Sequence, residues 1–94
     1  MPNKIVHRTV CKVIDGDTFK VRTKVNGSNY VRLANINAPD KGERGYASAT
    51  QHLAQKIVGK TVAIRPVGHS YGRVVADVKK NRRKIKWVQN GQII

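Results

Sequence analysis

Only one stretch of this chain carries a helical period. From Tyr46 to Val58 the apolar residues Ala49, Leu53 and Ile57 fall four apart, Ala54 and Val58 widen the stripe, and Gly59 stops it. Everything before it reads as strand. Residues 5–14 (I-V-H-R-T-V-C-K-V-I) alternate imperfectly, D-G-D marks a tight turn, and T-F-K-V-R-T-K-V (18–25) is rich in β-branched residues. Asn26-Gly27 is a strong hairpin signal that returns the chain into S-N-Y-V-R-L-A-N-I (28–36). Pro39 ends this meander, and K-G-E-R-G is a polar loop. Beyond the helix, T-V-A-I-R-P-V (61–67) and G-R-V-V-A-D-V-K (72–79) read as two further strands around a G-H-S-Y-G loop.

Five strands with one helix between the third and fourth is the order expected of an oligonucleotide-binding (OB) barrel, a mainly β fold of the α+β class. The 94 residues make one small domain, 1–94. Its single Cys11 rules out an internal disulfide, so stability rests on packing. His7 and Cys11 share a strand face, but two ligands do not make a zinc site. The tail K-I-K-W-V-Q-N-G (84–91) fits a short helix capped by Gly91, with Ile85 and Val88 inward; it also fits a strand leading into an Asn90-Gly91 turn. Arg82, Arg83 and Lys84 oppose the dipole of such a helix. No stretch approaches the ~18 apolar residues of a membrane span. The start, M-P-N-K-I-V-H-R, has no signal-peptide core, which leaves secretion after signal removal open.

Charge is the second constraint. Nineteen Lys and Arg stand against five Asp and Glu, a formal +14, and four of the five carboxylates crowd into two segments. Asp15 and Asp17 lie in V-I-D-G-D-T-F, and Asp40 and Glu43 in N-A-P-D-K-G-E. Scarce carboxylates held in clusters suit a hard cation, which prefers oxygen ligands. The surrounding positive field attracts a polyanion to the same place. Metal plus polyanion points to phosphodiester chemistry. The basic run K-K-N-R-R-K (79–84) reads as a turn that adds attraction for nucleic acid without sequence specificity.

In order, the motifs are V-I-D-G-D-T-F (13–19), V-R-L-A-N-I-N-A-P-D (31–40) and Y-G-R-V-V-A (71–76). Each alone is compatible with ordinary turn or strand-surface chemistry. Together, with a helix between the second and third, they resemble the staphylococcal nuclease-like (thermonuclease) family over about residues 5–91. The resemblance implies a five-stranded OB-type barrel with a short C-terminal helix, cleaving DNA and RNA with Ca²⁺. It implies Asp17 as a metal ligand, Asp15 in the outer shell, Asn37 as the second ligand and the Ala38 carbonyl as the third. Asp40 falls beside the attacking water, Arg32 and Arg73 would grip the phosphate, and Tyr71 would line the nucleotide pocket. The family also continues into a final segment over the barrel. The chain is therefore expected to be truncated after Ile94, or to use Ile93 and Ile94 against another chain.

Two positions depart from the family pattern. Asn37 stands where Asp is usual, losing a charge and weakening calcium. Asp40 stands where Glu is usual, one methylene shorter; Glu43 could reach in instead. A misplacement of ~1 Å can cost about a hundredfold in rate. The expectation is a nuclease of reduced activity and little sequence specificity, leaving 3′-phosphate ends, with single strands preferred and neither a membrane nor an obligate protein partner required. The competing expectation is a non-catalytic OB-type nucleic-acid binder with a degenerate metal site, although five aromatics are few for stacking platforms. A third is a basic protein-interaction module.

Overall fold

Three hairpin-linked strands start the fold in the computed structural model, which describes residues 4–80 and 83–84. These are β1 (Val6–Asp15), β2 (Thr18–Val25) and β3 (Ser28–Leu33). Asn26 and Gly27 join β2 to β3 with φ of 47° and 86°, the two left-handed residues of a type I′ turn that matches strand twist. Along β2, Phe19 and Val21 point into the core while Lys20 and Arg22 point out. Lys20 sets its ammonium 5.9 Å above the ring of the exposed Tyr30, its partner on β3.

Helix α1 (Tyr46–Ile57) follows, with Ala49, Leu53 and Ile57 buried as its period predicts. Val58 departs from that expectation. It leaves the helix for extended geometry at φ −61°, ψ 131°, and is 42% exposed. The Val58 N–H still donates to the Ala54 carbonyl at 3.0 Å, and Gly59, at φ 80°, turns the chain. Gly59 N–H then donates to the Val10 carbonyl at 2.8 Å, which hands the chain to β4 alongside β1. No helix among the described residues is long and apolar enough to cross a membrane.

Strands β4 (Thr61–Ser70) and β5 (Arg73–Lys80) are antiparallel. The expected G-H-S-Y-G loop shrinks to Tyr71-Gly72. A register shift between Pro66 and Gly68 absorbs the irregular residues, so Gly68, His69 and Ser70 pair with Val75, Val74 and Arg73. The sheet runs β3-β2-β1-β4-β5, and a parallel β3–β5 pairing, Val31↔Val74 to Leu33↔Ala76, closes it into a five-stranded barrel. Arg83 and Lys84 add a two-residue strand, β6, on Lys80 and Lys79, so the basic run doubles back on itself. The expected helix of 84–91 therefore begins with a strand residue, and from residue 85 it lies outside the described residues. The core joins Phe19, Val21, Val31, Leu33, Ile64 and Val74 of the barrel to Leu53 and Ile57 of the helix.

Candidate active site

Asp17 is buried at 7% exposure, a cost for a carboxylate that must be offset by hydrogen bonds. They are present. Its N–H donates to Asp15 Oδ1 at 3.3 Å, an Asx-type turn, and its carbonyl accepts from Leu33 N–H at 2.8 Å. Thr18 Oγ1 donates to Asp17 Oδ1 at 3.0 Å. Asp17 Oδ2 accepts from Ala38 N–H at 3.3 Å and lies 3.5 Å from Arg32 Nη2. The D-G-D turn is thus stitched to β3 and to the loop that follows it.

That loop positions the next groups. Ala34 N–H donates to the Ala76 carbonyl at 2.8 Å. Ile36 and Ala38 are buried, so Asn37 between them faces outward. Asn37 Oδ1 accepts from Arg32 Nη2 at 3.0 Å, and Arg32 Nη1 donates to the Leu33 carbonyl at 2.6 Å. One guanidinium therefore links the carboxylate to the amide. Asp40 and Glu43 form a closed turn: Asp40 N–H donates to Glu43 Oε1 at 2.6 Å, and Glu43 N–H to the Asp40 carbonyl at 2.8 Å. Tyr46 Oη donates to the Ile14 carbonyl at 3.3 Å, tying the far end of the loop to β1.

A cleft of about 640 Å³ opens between these pieces, walled by Asp17, Arg32, Asn37, Ala38, Pro39, Asp40, Glu43 and Arg44. Five of the expected site residues thus share one cleft: Asp17, Arg32, Asn37, Ala38 and Asp40. Asp15, Tyr71 and Arg73 are not in its wall. Asp15 sits behind Asp17; burial, and then the neighbouring Asp17 carboxyl, raises its pKa above the ordinary carboxylate range. Arg73 reaches the site through Thr18, donating from Nη1 to Thr18 Oγ1 at 3.2 Å and from Nε to the Ser70 carbonyl at 3.3 Å. Tyr71 stands 95% exposed on the β4–β5 turn at φ 51°.

Two residues were not singled out by sequence reasoning. Arg44 lines the cleft and has no hydrogen-bond or ion-pair partner among the described residues. Its signal was a cation directly after Glu43, in a loop that holds Lys41 beside the carboxylates of Asp40 and Glu43. Thr18 had only its place directly after Asp17.

The cleft's side-chain oxygens are the kind a hard cation takes, the Asp17 carboxylate and the Asn37 amide oxygen, with Ala38 in the wall beside them. Among the described residues no three His, Cys, Asp or Glu side chains form a metal-binding group. The donor set fits a hard cation in kind and is low in charge, so a cation would be held weakly.

No protein-family model matches the chain. The chain is similar to an "uncharacterized endonuclease" of Escherichia coli, 32% identical over 74 residues, which cover 78% of this chain and 48% of that protein. It is also similar to one of Haemophilus influenzae, 35% identical over 77 residues, covering 81% of this chain and 43% of that protein. The chain spans about half the length of these curated relatives or less. The likeness supports a nuclease family.

Proposed function

We propose that this chain is a staphylococcal nuclease-like domain that hydrolyses phosphodiester bonds of DNA and RNA with the help of Ca²⁺. The observation that carries the reading is the buried Asp17, held between Arg32 on one oxygen and Thr18, with Arg73 behind it, on the other. Across the cleft the Asp40 carboxylate has no hydrogen-bond or ion-pair partner among the described residues. The relatives named endonuclease support the nuclease part of this reading.

The chemistry follows from these groups. Asp40 orients an attacking water and takes its proton. Arg32 and Arg73 offer planar forks to the phosphoryl oxygens, where negative charge builds as the water oxygen bonds to phosphorus. The 5′-side P–O bond breaks, the departing oxygen takes up a proton, and the phosphate stays on the 3′ end. Ca²⁺ held by Asp17, Asn37 and the Ala38 carbonyl, with Asp15 behind, would supply further positive charge against the same oxygens. Tyr71 is available to stack on an unpaired base, which favours single strands.

The test is release of acid-soluble nucleotides from heat-denatured DNA in millimolar Ca²⁺, against EGTA. EGTA is expected to abolish release, and Asp17→Ala and Arg73→Ala each to reduce it at least about a hundredfold. Hydrolysis that survives both substitutions defeats the reading.

One observation favours the alternative, a non-catalytic nucleic-acid binder. Arg32 already supplies positive charge to both Asp17 and Asn37. A domain of that kind binds denatured DNA with a steep salt dependence, is indifferent to Ca²⁺ and releases nothing.

A further inference from the structure

Thr18 is 2% exposed, and its one hydroxyl touches two charged groups that make no hydrogen bond or ion pair with each other. It donates to Asp17 Oδ1 at 3.0 Å and accepts from Arg73 Nη1 at 3.2 Å. A hydroxyl has one proton to give, so these two bonds fix its direction: the proton points to Asp17 and a lone pair to Arg73. The arrangement is polar from end to end. Each bond is charge-assisted, and each strengthens the other by polarising the same oxygen.

The backbone leaves this hydroxyl little choice. Thr18 pairs with Asp15 on β1 and with Arg32 on β3, so its backbone is held from both sides at the mouth of the D-G-D turn. Threonine is also stiff at χ1, which keeps the oxygen on one bearing. Among the described residues the guanidinium of Arg73, the first residue of β5, is held by the Ser70 carbonyl and by this oxygen. A guanidinium with one anchor can swing about its Nε–Cζ bond; with two it presents one edge. Arg32, by contrast, is fixed by Leu33 and Asn37 without any help from Thr18.

We propose that Thr18 is a positioning residue: its hydroxyl sets the bearing of Arg73 relative to Asp17, so that a phosphate held by Arg73 lies in one fixed geometry to the Asp17 side of the site. The inference rests on the nuclease reading for its kinetic consequence, but the link itself does not. A merely structural threonine would be replaced by valine, its near-isostere, with a change in stability and none in chemistry.

The test compares wild type with Thr18→Val, Thr18→Ala and Thr18→Ser in the full chain, with two readouts. The first is hydrolysis of single-stranded oligonucleotide in saturating Ca²⁺. Val and Ala are expected to lower kcat roughly 10- to 100-fold, the scale of a misplacement of about an ångström or less, with KM within about threefold. Ser keeps the hydroxyl and is expected to restore most of kcat. The second readout is rotation of the Arg73 guanidinium about Nε–Cζ, followed by ¹⁵N exchange NMR without nucleic acid. It should be slow in wild type and Ser, and faster in Val and Ala. Unchanged kcat in both Val and Ala, or unchanged rotation in both, overturns the proposal. If wild type cleaves nothing, the nuclease reading fails; rotation then decides the Thr18 link alone, faster supporting it and unchanged ending it.

Discussion

Glu43 spends its carboxylate on its neighbour. One oxygen accepts the Asp40 N–H at 2.6 Å while the Glu43 N–H donates back to the Asp40 carbonyl at 2.8 Å. The two acids of this loop are therefore not equivalent, although both face the cleft. Glu43 shapes the turn, and the Asp40 carboxylate, with no hydrogen-bond or ion-pair partner among the described residues, is the one free for the proposed role with water. Asp40→Asn is expected to cut kcat at least about a hundredfold, because the amide cannot take the proton. Glu43→Gln keeps an acceptor for the Asp40 N–H and should cost less than about tenfold. Single-turnover rates on a defined oligonucleotide measure both; equal losses would mean the roles are shared.

The neutral Asn37 leaves room for improvement. Its amide oxygen accepts from Arg32 at 3.0 Å, so Asn37→Asp adds a charge at the proposed cation site. Calcium affinity follows ligand charge, and roughly a tenfold gain is expected. Calorimetric titration of Ca²⁺ into the variant checks it without reference to hydrolysis. No gain would mean that Arg32 absorbs the new charge.

Tyr71 occupies a position that suits asparagine or glycine. At φ 51° beside Gly72 at 76°, it completes a type I′ turn, and it is 95% exposed with no packing to compensate. Tyr71→Asn should therefore raise stability by about 1 kcal/mol, read from chemical denaturation. The same change should weaken binding of single-stranded DNA several-fold, since a base loses its stacking face. Gain of stability with unchanged binding would leave the tyrosine without a purpose at this turn.

Asp15 carries a pH signature. Burial, and then Asp17, raises its pKa in the folded state, so the folded protein holds that proton more tightly than the unfolded chain does. Its contribution to stability therefore falls as pH rises from the ordinary carboxylate range through the raised folded value, and stays low above it. Asp15→Asn should remove that slope and raise the thermal midpoint at neutral pH. Melts in EGTA from acid to neutral pH test this, and a variant less stable than wild type at pH 7 contradicts it.

Local signals carried the fold a long way. Asn26-Gly27 announces its turn because only residues tolerant of positive φ fit there, and the spacing of Ala49, Leu53 and Ile57 announces the buried face of α1. The misses have physical causes. Gly68, His69 and Ser70 look like loop, yet a register shift lets β4 continue through them. Val58 keeps the helical spacing but falls after the last helical residue, where its side chain leaves the core. Among the candidate site residues, Asp17, Arg32, Asn37, Ala38 and Asp40 were singled out through motifs and come together in one cleft. Thr18 and Arg44 were not, because what distinguishes them is a pair of partners in one case and their absence in the other. Neither property exists until the chain has folded.

The parallel seam between β3 and β5 sets when the two arginines can meet. Arg32 and Arg73 belong to distant stretches of sequence, and the pairing from Val31↔Val74 to Leu33↔Ala76 is what brings those stretches side by side. A polypeptide still emerging from the ribosome presents the D-G-D turn and Arg32 well before Arg73 exists. Such a chain has the first arginine of the proposed phosphate clamp and lacks the second. Contacts so distant in sequence form late, since the intervening chain must first be ordered. The topology thus makes the meeting of the two arginines depend on nearly the whole barrel, so a chain that ended before β5 would hold the D-G-D turn and Arg32 without Arg73.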